Sequence, residues 1–142
     1  MAIRRLILIV TGAHLDAERS DRAIAYGLRE RIAGWFRERG ELDAETVVCS
    51  DVWYLNHDEL RSLPTVSVGG PTVNALAAYL ADKLPSALAV DGVMLVQADP
   101  EFEEPVASCW GATPAGTAAA VEAFGERYLD AFMAAARRTW GG

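Results

Sequence analysis

The chain lacks the features that would tie it to nucleic acid, metal or membrane. Arg4 with Arg5 and Arg137 with Arg138 are its only notable basic clusters, and each is only a pair, set against a formal net charge of −7. That field repels a phosphate backbone, which disfavours a nucleic-acid partner, and it repels an anionic membrane surface for the same reason. No apolar stretch approaches the roughly 20 residues that a membrane-spanning helix needs. Only Cys49 and Cys109 supply thiols, far apart and in no metal-type spacing, so each reads as a buried, reduced side chain. There is no His-Glu-x-x-His and no clustered Cys/His pattern, and hence no predicted metal site. Nothing in the sequence specifies a cofactor. Arg4 and Arg5 ahead of Leu6 begin like a signal peptide, but the apolar run is too short and residues 11–14 break it without a cleavage site. The expectation is a cytoplasmic protein.

What is present is an ordinary globular balance: 142 residues, 51% hydrophobic and 23% charged. That suits one domain able to bury a sizeable core. Residues 3–10 are aliphatic on both faces, as in a strand buried on both sides. A long helix to about Arg39 follows, capped by Asp16 or Ser20, with Ile24, Leu28, Ile32 and Phe36 as its apolar stripe and Gly40 just past its end. Residues 46–49 read as a second strand, and Asn56 as the cap of a single helical turn over 58–60. Residues 65–68 form a third strand. A helix opened by Pro71 follows, burying Val73, Leu76, Ala77 and Leu80 and stopping before Pro85. Residues 93–96 and 106–110 give two more strands. Thr113 and Pro114 open a last helix that runs to about Thr139.

Strands alternating with helices predict parallel crossovers. The predicted fold is a single α/β domain, a three-layer α/β/α sandwich with a mostly parallel five-stranded sheet in the order 2-1-3-4-5, flavodoxin-like in outline.

In such sheets ligands bind beyond the carboxyl ends of the strands. Five loops are selected: residues 11–14, 50–53, 69–74, 97–99 and 110–113. The ligand-binding candidates are Thr11, Gly69, Gly70, Thr72, Asn74, Trp110 and Thr113. Gly69 and Gly70 allow a tight turn and a close approach of backbone to ligand, and the helix after them aims N–H groups at an anion. A plain strand-to-helix turn is the alternative, because neither the dinucleotide glycine pattern nor a phosphate loop with its Lys-Ser/Thr is present. Trp110 stacks on a flat ligand or covers the end of the core. His14, Cys49 and Asp51 form a conceivable thiolate–base cluster, although Cys49 lies in an apolar run. His57 reads as solvated or capping. Asp99, Glu101, Glu103 and Glu104 read as a solvated acidic loop without calcium-loop spacing.

The stretch Val66-Ser67-Val68-Gly69-Gly70-Pro71-Thr72-Val73-Asn74-Ala75-Leu76 resembles a Gly-Gly-Pro-x-x-Asn segment of archaeal surface-layer proteins. The resemblance covers about a tenth of the chain. It implies a shared structural α/β module and transfers no activity.

Two readings of function follow. One is a non-catalytic module that binds a small anionic or nucleotide-like ligand, or that self-assembles as a homodimer through Trp35, Phe36 and Trp140. The other is a small hydrolase or transferase in the same crevice, lined by Thr11, His14, Asp51, Asn74, Asp99 and Thr113. A flavin-binding variant needs a hydroxyl-rich loop after the first strand, which residues 11–14 do not supply.

Overall fold

The strand β1 (Leu6–Thr11) is buried along its whole length, as the middle of a parallel sheet requires. It pairs in parallel with β2 (Glu45–Ser50) on one side and β3 (Thr65–Val68) on the other. β3 pairs in parallel with β6 (Val106–Gly111). Beyond β6 the direction changes: β5 (Met94–Ala98) is antiparallel both to β6 and to the edge strand β4 (Ser86–Val90). The computed structural model, which describes residues 5–40 and 44–141, thus holds a six-stranded, mostly parallel sheet in the order β2-β1-β3-β6-β5-β4. Ile3 and Arg4, expected at the head of the first strand, lie outside the described residues.

The sheet is therefore not five-stranded, and the expected order holds only over β2-β1-β3. The unexpected strand β4 is one arm of a hairpin. Val90 accepts a hydrogen bond from the Val93 N–H at 2.9 Å across Asp91 and Gly92. Asp-Gly between apolar runs is a hairpin signal, so the strand expected as the end of a crossover is a hairpin's return arm. Because β5 runs backwards, residues 97–99 lie at the opposite end of the sheet from the crevice.

Side chains of β1 alternate between two cores. Ile7 and Ile9 join Val66, Val68 and Cys109 under α1 (Arg22–Arg39), α4 (Pro114–Arg127) and α5 (Leu129–Thr139). Phe132 meets Phe124 and Phe102 edge-on there, with centroids 5.5 and 6.4 Å away. Leu8 and Val10 face a smaller core with Cys49, Tyr54, Leu76 and Leu80, under α2 (Asp51–Leu55) and α3 (Ala75–Leu80).

Several helix boundaries differ from expectation, each for a local reason. The helix after β1 is capped by neither Asp16 nor Ser20. Its first carbonyl is that of His14, which accepts the Glu18 N–H at 3.0 Å, while His14 Nδ1 accepts the Asp16 N–H at 3.1 Å. Asp16 is already helical at φ −63 and ψ −37. Asn56 does not cap the turn expected over 58–60, which is a 3-10 segment, Asp58–Ser62, preceded by His57 without a side-chain cap; Asn56 instead ends α2, an unexpected helix that Ser50 caps by accepting the Trp53 N–H. Pro71 does not start a helix, because Val73 and Asn74 N–H groups fold back onto the Gly70 carbonyl and Asn74 caps α3 instead. The last helix breaks at Tyr128, whose φ of −123 leaves the helical region and whose hydroxyl donates to the Ala87 carbonyl. Trp35, Phe36 and Trp140 form no exposed patch; all three are buried in the larger core. Gly40 closes α1 at φ 63, as expected.

Candidate functional site

Three loops at the carboxyl end of the sheet, those after β1, β3 and β6, surround an open cavity of about 500 Å³. The helix start after β1 contributes Asp16, Arg19, Ser20 and Asp21. The turn after β3 contributes Gly70, Thr72 and Val73, and the β6–α4 junction contributes Gly111, Ala112, Thr113, Pro114 and Thr117.

Two side chains hold these loops in place. Asn74 is 1% exposed, and its Nδ2 donates to the carbonyls of Val10 and Val68 and to Ser67 Oγ, at 3.0–3.1 Å. Its Oδ1 accepts the N–H groups of Leu76 and Ala77. One amide thereby joins the ends of β1 and β3 and caps α3. Asp51 accepts the Ala13 and Val52 N–H groups on Oδ1 at 3.0 and 2.7 Å, and the Ala75 N–H on Oδ2 at 2.7 Å. Gly12 lies so close to the turn after β3 that a Cβ there would fall 1.7 Å from the Val73 carbonyl oxygen. The α4 side is closed by Thr113 Oγ1 accepting the Gly116 N–H, and by Thr117 Oγ1 accepting the Gly111 N–H, both at 3.1 Å.

Asp21 is the unexpected residue. It ends a π-helical segment, Ala17–Asp21, in which the Arg22 N–H reaches back to the Ala17 carbonyl. Such segments widen a helix locally and recur at functional sites. Asp21 is 6% exposed and lies against Gly69, whose φ of +110 suits a residue without a side chain. Its carboxylate has no hydrogen bond or ion pair among the described residues, and burial holds its carboxyl above the ordinary aspartate value. The sequence carries a trace of this: Asp21 is in step with Ala17, Ala25, Leu28 and Ile32, on the buried stripe of the helix. Arg19, Ser20 and Thr117 were also missed as cavity residues; Arg19 looks like a solvated helix residue in sequence, and Ser20 reads there as a helix cap.

Of the expected residues, Gly70, Thr72 and Thr113 line the cavity, and Gly69 forms the turn beneath Asp21. Asn74 and Asp51 are structural knots. Thr11 is fully buried. Trp110 packs its ring over Gly70, 3.5 Å from where a Cβ would lie, and so covers the turn. His14, Cys49 and Asp51 are not bonded to one another: His14 caps its helix, Asp51 is taken up by backbone N–H groups, and burial pushes the Cys49 thiol up to about 11. His57 Nδ1 bonds the Trp53 carbonyl, and its ring lies tilted against that of Trp53, with centroids 4.9 Å apart. Asp99 accepts the Glu101 and Glu103 N–H groups as a turn residue. Among the described residues no group of three or more His, Cys, Asp or Glu is arranged to hold a metal ion, and no helix is long and apolar enough to cross a membrane.

The fold is mixed α/β, with a crevice cavity at the ends of its parallel strands. Comparison with protein-family models, curated proteins and solved structures gives no match for the chain.

Proposed function

We propose that this chain is a small-molecule-binding domain rather than a catalyst, and that its ligand bears a carboxylate or phosphate. One observation carries the reading: the start of α4, capped by Thr113, and Arg19 line the same open cavity of about 500 Å³. Helix starts favour negative charge, and the volume lies within the range of small-ligand sites. The layering, with α1, α4 and α5 on one face and α2 and α3 on the other, is in this reading that of a three-layer α/β/α sandwich, flavodoxin-like over β2-β1-β3. A cytoplasmic setting belongs to the same proposal and rests on two buried, unpaired thiols. The alternative, a small hydrolase or transferase, would use Asp21 as the buried carboxyl of the cavity for proton transfer, and among the described residues that line the cavity there is no Cys or His to serve beside it.

Calorimetric titration with inorganic phosphate, nucleoside monophosphates, phosphosugars and amino acids tests the proposal. One class should bind with unit stoichiometry, and Gly70→Val should abolish binding. A Cβ at Gly70 meets only an ordinary contact with Trp110, and the folding of the valine variant is checked by its melting curve. Binding that survives Gly70→Val, or no binding by any class, would overturn the proposal.

A further inference from the structure

We infer that the ligand of this cavity also carries an amine, held as an ammonium against Asp21 while its carboxylate or phosphate meets the start of α4. This inference rests on the ligand-binding reading above and narrows it from a simple anion to a zwitterion.

Three observations lead there. First, Asp21 is nine-tenths buried, lines the cavity and has no partner among the described residues. Buried carboxylates are otherwise bonded or paired, and Asp51 in the same protein accepts three N–H groups. A carboxylate left open to a cavity is available to what enters it. Second, the charged groups lining the cavity are Asp16 and Asp21 against Arg19, two carboxylates to one guanidinium. The residues contributed by the β3 turn and by the start of α4 are uncharged. A bare anion therefore enters a site of net negative charge, whereas a zwitterion matches both ends. Third, the π-helical segment ending in Asp21 departs from regular helix geometry at the residue that faces the cavity. Burial raises the Asp21 carboxyl, and an ammonium beside it reverses that shift by favouring the ionised form.

The test compares matched pairs on the intact protein by calorimetry: alanine against propionate, and phosphoethanolamine against ethyl phosphate. The amine-bearing member of one pair should bind tighter by roughly tenfold to a hundredfold, the range of one charge-assisted hydrogen bond. The pair that responds identifies the anion as carboxylate or phosphate. The preference should vanish in Asp21→Asn, an isosteric change whose folding is checked by its own melting curve. Equal binding of both members, or a preference that persists in Asp21→Asn, overturns the amine while leaving the cavity a binding site. Binding of a nucleoside monophosphate with neither pair bound has the same meaning. Failure of every probe overturns the underlying reading as well.

Discussion

Asn74 commits both ends of its amide to backbone and Ser67, joining the ends of β1 and β3 to α3. Asn74→Ala strips the Val10 and Val68 carbonyls of a buried donor and uncaps α3, so a loss of about 3 kcal/mol or more is expected from urea denaturation midpoints. Asn74→Asp should not rescue it, because a carboxylate cannot donate. Gly12→Ala, pressed into the Val73 carbonyl, should also destabilise, by about 1–3 kcal/mol. Asp21 behaves in the opposite sense. Its carboxyl is raised in the folded state, so the fold holds a proton that the unfolded chain releases. The resulting stabilisation is full below the ordinary value of 3.8 and is lost as pH rises through the folded-state value. Asp21→Asn should therefore melt higher than the native protein at neutral pH, with the gap closing below pH 3.8. A native protein that melts at least as high at pH 7 would contradict this. In the proposed reading, the stability given up at Asp21 serves the ligand, a common trade at binding sites.

At the scale of elements, the helix starts around the crevice are set by side chains acting on nearby backbone. His14, Ser50, Asn74 and Thr113 each accept an N–H two or three residues on. Thr113 was legible as a cap because Pro114 follows it; Asn74 was masked by Pro71, which suggested an earlier start. Thr113→Val should cost about 1 kcal/mol of stability through the unpaired Gly116 N–H, measurable as a lower melting temperature. The β4–β5 hairpin was the largest misreading. Its Asp-Gly turn is a local signal, but residues 86–90 are half exposed and follow directly on Pro85, so they carry no buried-strand pattern.

At the scale of the whole molecule, the two faces of the sheet are unequal. The larger core holds Phe102, Phe124 and Phe132, all but fully buried, while the smaller rests on short α2 and α3. Phe132→Ala should cost about 3–5 kcal/mol. Hydrogen exchange should show α2 and α3 opening at lower free energy than α1, α4 and α5; uniform protection on both faces would refute that ordering. Burial pushes both thiols up, Cys49 to about 11, so neither should react quickly with alkylating reagents at neutral pH in the folded protein.

The α/β class, the parallel β1 and β3, the stripe of α1 and the crevice end of the sheet all follow from local patterns: aliphatic runs on both faces, apolar residues four apart, and a capping Thr before Pro. Those patterns depend only on neighbours in sequence. The place of β6 beside β3, the reversal of β5 and the meeting of Asp21 with Gly69 join residues far apart in the chain, where pairing and burial decide and no spacing records the outcome. Tertiary packing likewise buried Trp35, Phe36 and Trp140, and it alone left the Asp21 carboxylate lining a cavity without a partner among the described residues.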